Sequence, residues 1–176
     1  MSRRGGRSIG IDDIGEMLGQ VALPGSLDDF AEALQRPGGS IMRRRREIAA
    51  DDLPISSIPI PWYRLGHRPT ASSPKPSRTL AYASADYFVQ DAGSLLALAA
   101  VGADTAALGG KLICDLCAAP GGKASALVEA IDASDHEKPG GFVLANEVIR
   151  SRLGALQLNL ARTGSDRYAV SSHDPE

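Results

Sequence analysis

Asp115-Leu116-Cys117-Ala118-Ala119-Pro120-Gly121-Gly122-Lys123 joins an apolar run with strand character, Lys111–Leu116, to an apolar run with helical spacing, Lys123–Ile131. A Gly-rich turn between a strand and a helix lets a ligand approach the backbone closely, and the helix start offers free N–H groups to an anion. Outward from this stretch the pattern repeats. Phe142–Ala145 reads as a second strand, Val148–Ala161 as a helix with Ile149, Leu153, Leu156 and Leu160 on one face, and Tyr168–Ser171 as a third strand. Strands alternating with helices predict an α/β fold whose parallel sheet is built with right-handed crossovers. Ligands of such sheets bind beyond the carboxyl ends of the strands. Glu147 follows the second strand, where a carboxylate can accept two hydrogen bonds from ribose hydroxyls. Asp174 follows the third, where a carboxylate can receive an amino group of adenine.

Other chemistries fit the turn less well. A P-loop has Gly, four residues, then Gly-Lys-Ser/Thr, but here Cys117 stands at the first position and Ala124 at the last. The Gly-x-Gly-x-x-Gly dinucleotide fingerprint is absent. Cys114 and Cys117 have C-x-x-C spacing, yet no second cysteine pair completes a zinc site, and His67, His136 and His173 are scattered. Residues three apart on a strand face opposite sides of the sheet, so the two thiols are read as buried or half-buried. No metal ligand is expected.

The chain has 176 residues and a net charge of −2, from 19 Lys plus Arg against 21 Asp plus Glu. That balance excludes a uniformly basic coat, though not a local basic patch. Two cysteines exclude a disulfide framework, and a reducing cytoplasm is the expected compartment. The longest apolar run, Leu95–Val101, falls far short of the ~18 residues of a membrane span.

Upstream of the turn the chain divides into three parts. Residues 1–53 are read as a helical, possible RNA-contacting segment: Ile11, Ile14, Met17, Leu18 and Val21 recur at helical spacing, and Ser26 caps a second helix with Asp28 and Asp29 in its first turn. Residues 54–79, rich in Pro and Ser, are read as a linker or an irregular extended stretch, with Trp62 pinning it to a core and base stacking as the other reading. Arg43-Arg44-Arg45-Arg46 is read as a solvated face, with contact to RNA phosphates as the alternative. From residue 80 the α/β part begins: Tyr87–Gln90 is a short strand or the start of a helix, and Asp91 or Ser94 caps the helix through Leu95 and Val101.

Ile113–Lys123 resembles the cofactor loop of the Nop/Sun-type RNA cytosine-5 methyltransferases. Tyr87-Phe88-Val89-Gln90-Asp91-Ala92-Gly93-Ser94-Leu95-Leu96 is similar to the segment these enzymes carry just upstream. Leu144-Ala145-Asn146-Glu147 resembles their second-strand end, and Ser151 to Gly164 the helix that follows. Ser26–Phe30 and Gln35-Arg36-Pro37 resemble the N-terminal part of a bacterial ribosomal-RNA branch of the family. The resemblance implies a class I, Rossmann-like methyltransferase sheet, of which residues 80–176 are the first half. It implies S-adenosylmethionine as cofactor and RNA, ribosomal RNA first, as substrate. Carried over by position, Cys117, Ala118, Ala119, Pro120, Gly121, Gly122 and Lys123 wrap the methionine and ribose part, Glu147 holds the ribose hydroxyls and Asp174 faces the adenine.

The family's nucleophile is a cysteine that follows a proline at the end of a fourth strand and attacks C6 of the cytosine. No Pro-Cys dipeptide occurs here. The chain is therefore expected to be an N-terminal portion ending before the catalytic cysteines, with no catalytic residue of its own, inactive alone, and open to association through an exposed sheet edge. A non-catalytic module binding S-adenosylmethionine or RNA, or a decayed gene product, is the alternative.

Overall fold

Ser40–Arg44 alternates its side chains across a strand, with Ile41 and Arg43 turned to one side and Met42 and Arg44 to the other. In the computed structural model this strand, β1, lies inside a four-stranded antiparallel sheet. The other strands are β2 (Ser57–Pro59), β3 (Gly66–Pro69) and β4 (Tyr87–Asp91), in the order β2-β3-β1-β4. The structure describes residues 26, 28, 29, 32, 39–105, 108–134 and 140–174. Gly39–Glu176 form one compact unit and Met1–Gly38 another. In the latter, the Ser26 hydroxyl accepts the Asp29 N–H at 3.1 Å, the cap expected there, and the Asp29 carboxylate accepts the Ser26 N–H at 3.0 Å in return. The helix expected around Ile11–Val21 lies outside the described residues.

The antiparallel sheet differs from the expected helical segment and linker. β2 and β3 arise within the Pro/Ser-rich stretch because its prolines fall where a ladder tolerates them. Pro59 ends β2, an edge strand, and Pro69 ends β3. β4 pairs with β1 from Ser40↔Asp91 to Arg44↔Tyr87, which settles Tyr87–Gln90 as strand. A short helix, α1 (Leu80–Ala83), precedes β4. Asp91 then caps α2 (Ala92–Ala100), its carboxylate accepting the Ser94 N–H at 3.1 Å.

The second sheet is the expected one. β5 (Leu112–Asp115), β6 (Phe142–Asn146) and β7 (Tyr168–Ser171) run parallel in the order β5-β6-β7. α3 (Gly122–Asp132) and α4 (Leu153–Ala161) make the crossovers, and a 3-10 turn over Arg150–Arg152 delays the start of α4. Every residue of α3 from Ala124 to Ile131 is buried. A helix buried all round sits between layers, and one core joins it to both sheets: Ile41, Ile60, Tyr63 and Leu65 share a cluster with Val128, Val143, Leu156 and Leu160.

The opposite face of the parallel sheet is bare. Leu112 is 86% exposed, and Cys114, Phe142 and Leu144 are exposed beside it. Cys114 and Cys117 are both free and exposed, not buried as their spacing suggested. The reason is the uncovered face under Cys114 and the position of Cys117 in the turn after β5.

The arginine run is neither a solvated face nor an open cationic strip. Arg43 is fully buried, ion-paired to Glu129 of α3, donating to Ser125 Oγ at 2.9 Å and to Gln90 Oε1 at 3.1 Å, with Phe88 4.6 Å from its guanidinium. Arg44 donates to His67 Nε2 at 3.3 Å and to the Ile48 carbonyl at 2.7 Å. Arg45 reaches the Thr163 carbonyl at 3.0 Å, and Arg46 those of Ala103 and Thr105 at 2.7 and 2.9 Å. All four side chains tie elements of the unit together.

Candidate functional site

The carboxyl ends of β5, β6 and β7 lie along one rim, since the strands are parallel and in register from Asp115↔Ala145 to Asn146↔Ser171. At the end of β5, Asp115 Oδ1 accepts the Cys117 N–H at 3.2 Å and starts the turn. Its Oδ2 is buried and accepts no hydrogen bond.

The loop is then held from three sides. The Ala118 N–H donates to the Asn146 carbonyl at 2.9 Å, anchoring the loop to β6. Arg152 donates to the Ala119 carbonyl at 2.6 Å and Asn159 to the Pro120 carbonyl at 2.7 Å, anchoring it to the 3-10 turn and α4. The Ala119–Pro120 peptide is cis. Gly121 has φ +108°, and a Cβ there would stand 3.1 Å from Asn159 Cβ and 3.3 Å from Leu156 Cδ1. Only glycine meets both demands. Its carbonyl accepts the Ser125 N–H at 2.8 Å as α3 begins.

At the end of β6, Asn146 stitches the rim. Its Nδ2 donates to the His173 carbonyl at 2.9 Å, and its Oδ1 accepts from Ser171 Oγ at 2.8 Å and from the His173 N–H at 3.0 Å. Glu147 follows, 3% exposed. Its Oε1 accepts the Ile149 N–H at 2.9 Å. Its Oε2 lies 3.1 Å from Arg152 Nη1, close enough for an ionic contact but without the alignment of a hydrogen bond. Asp174 is exposed beyond β7.

The structure thus sets Cys117–Lys123, Glu147 and Asp174 on three adjacent strand ends. Lys123 also lines two cavities beside the rim: an apolar groove of about 670 Å³ along the free edge of β5, and one of about 270 Å³ shared with Gln90, Asp91 and Asn159. Neither is lined by Glu147 or Asp174. Asp115 and Asn146 gain roles that sequence patterning did not assign. Their signal was visible as a polar residue closing an apolar strand, but which oxygen is left without a donor depends on the fold. Chemically, the rim offers two buried carboxylate oxygens as acceptors beside a loop that admits a ligand to its backbone. No group of three or more His, Cys, Asp or Glu suited to a metal occurs among the described residues.

No protein-family model matches the chain. Over 172 residues, 87% of the chain, it is 30% identical to ribosomal RNA small subunit methyltransferase F of Escherichia coli O139:H28. It is likewise 30% identical over 166 residues to the enzyme of that name from Pectobacterium carotovorum. The chain spans about a third of the length of these curated relatives, 33% and 31% respectively. A methyltransferase homolog protein from Pyrococcus horikoshii superposes with a TM-score of 0.69 at 25% identity, over 83% of this chain and 48% of that one. NSun6 from the same organism superposes with a TM-score of 0.69 at 12% identity, over 96% and 65%, a likeness of fold alone.

Proposed function

We propose that this chain, a homologue of the ribosomal RNA small subunit methyltransferases F, is the cofactor-binding part of an RNA cytosine-5 methyltransferase and takes S-adenosylmethionine at the ends of β5–β7. One observation carries the reading: Asp115 Oδ2 and Glu147 Oε2, on adjacent strand ends, are buried and accept no hydrogen bond. Glu147 Oε2 keeps only its ionic contact with Arg152, whereas a buried acceptor left wholly unmatched, as Asp115 Oδ2 is, costs about 1–3 kcal/mol, so a ligand bearing hydroxyl or ammonium donors relieves that cost on binding. The donor set of S-adenosylmethionine fits. Glu147 receives the ribose hydroxyls, Asp115 the ammonium of the methionine part, and Asp174 the adenine amino group. The backbone of Cys117–Lys123 wraps the methionine and ribose between them.

When bound, the cofactor supplies an electrophilic methyl group. The residues of this chain hold and orient it. Transfer to cytosine C5 also requires a thiolate to add at C6. Cys114 lies on the bare sheet face and Cys117 opens the cofactor loop, and neither follows a proline. The chain accordingly binds the methyl donor without methylating RNA by itself, ribosomal RNA being the substrate of the complete machine.

Calorimetric titration of S-adenosylmethionine into the purified chain tests this. Saturable binding is expected, with affinity lowered about tenfold or more, at least ~1.4 kcal/mol, in Glu147→Gln and in Asp115→Asn. A folded chain that takes up no cofactor, or variants that bind as the parent does, would refute the assignment.

A further inference from the structure

Trp62 is the only tryptophan of the chain. Its neighbour Tyr63 turns into the core at 1% exposure, while Trp62 remains 38% exposed. The pinning role expected of Trp62 thus belongs to Tyr63. Trp62 instead lines a shallow cavity of about 300 Å³ with Ile58, Pro59, Ile60, Pro61 and Arg68, on the edge strand β2, its neighbour β3 and the turn between them. Arg68 pairs with Ile58 through its backbone, while its exposed guanidinium makes no hydrogen bond or ion pair among the described residues. Arg64, by contrast, is committed, donating from its backbone N–H to the Asp104 carboxylate at 3.0 Å and from its guanidinium to the Asp104 carbonyl at 2.6 Å.

The stretch of chain that carries the cavity is one-sided in charge. From Leu53 to Ala85 the chain holds Arg64, Arg68, Lys75 and Arg78 and no Asp or Glu, so this stretch carries +4 in a molecule of net −2. Such a segment selects a polyanion. An exposed indole on an apolar shelf adds a demand for a flat, unpaired ring, because stacking needs an open π-face. A base-paired duplex hides its bases, and a proline-rich peptide has no use for the free cation.

We infer that the β2–β3 hairpin is a binding site for single-stranded RNA, with an unpaired base stacked on Trp62 and its phosphate held by Arg68. The site lies outside the cofactor rim and stands on its own observations. Only the choice of RNA over DNA rests on the function proposed above.

The single tryptophan makes the test direct. A 12-nucleotide single-stranded RNA of mixed sequence is titrated into the full chain, following Trp62 fluorescence and, with a labelled strand, anisotropy. Saturable quenching is expected. By anisotropy, Trp62→Ala should bind about tenfold or more weakly, since stacking on one aromatic is worth roughly 5- to 150-fold. Arg68→Ala should bind several-fold more weakly, with a salt dependence shallower by about 0.7 in log–log slope, the loss of one phosphate contact. Both variants should melt as the parent does and keep S-adenosylmethionine affinity, which separates failure of this site from failure of the cofactor assignment. Absent quenching, or RNA binding unchanged in Trp62→Ala, would overturn the inference. So would equal affinity for duplex RNA or a preference for a proline-rich peptide. Tighter binding of single-stranded DNA than of RNA would overturn the choice of nucleic acid.

Discussion

His67 shows how a single side chain couples charge to packing. It is buried on β3, where Nε2 accepts the Arg44 Nε–H at 3.3 Å, which requires a neutral ring protonated at Nδ1. Burial, and then the adjacent Arg44 charge, lower its pKa below the usual 6.5. The unfolded chain therefore binds the proton more readily than the folded one. Stability from this residue is full above pH ~6.5 and is lost as pH falls through that value toward the folded pKa. Chemical denaturation between pH 7.5 and 5 should show a falling midpoint in the parent and a flatter profile in His67→Gln. Parallel profiles would exclude the residue as the source. Tyr63 has no such consequence at neutral pH. Its phenol is pushed up to about 12, chiefly by burial, and stays protonated.

Between elements, the Arg43–Glu129 pair fastens β1 to α3. Removing one partner strands the other charge in the core. Glu129→Ala is expected to cost about 3–5 kcal/mol, and Arg43→Met a similar amount. The double variant Arg43→Met/Glu129→Leu removes both charges and should recover most of that loss, because an apolar pair of similar volume satisfies the same space. A double variant as unstable as the sum of the singles would show that Ser125 and Gln90, not the pair, account for the stability. The same elements show what patterning can read. Lys111–Leu116 and Tyr168–Ser171 were legible as strands because their apolar residues are contiguous and bounded by turns. Ser40–Arg44 was not, because a strand carrying Arg43 inward has no apolar period to detect. β2 and β3 were masked by prolines that stand at strand ends.

Across the whole molecule, the common core predicts how the protein melts. Ile41, Ile60 and Leu65 of the antiparallel part pack in one cluster with Val143, Leu156 and Leu160 of the parallel part, and α3 lies between them. Calorimetric unfolding should give one cooperative transition for the Gly39–Glu176 unit, despite its two sheets and the Pro/Ser-rich stretch between β1 and β4. Two resolved transitions would mean that the sheets are independent. The same layering leaves one face and one edge of the parallel sheet uncovered, at Leu112, Phe142 and Leu144. Parallel sheets are ordinarily covered on both faces, which makes this the least complete part of the unit.

The α/β class, the three strands of a parallel sheet with their crossover helices and the turn from Cys117 to Lys123 were readable from the chain itself. Each rests on local signals: apolar runs, glycines at a turn, an acidic residue closing a strand. The four-stranded antiparallel sheet, the inward path of the arginine run, the exposure of Trp62 and the buried oxygens of Asp115 and Glu147 that accept no hydrogen bond were decided only by tertiary structure. Each depends on what a distant segment brings alongside. Arg43 is buried because Glu129, 86 residues later, meets it. No pattern within either segment encodes that meeting, since a charge is buried only when its partner is already in place.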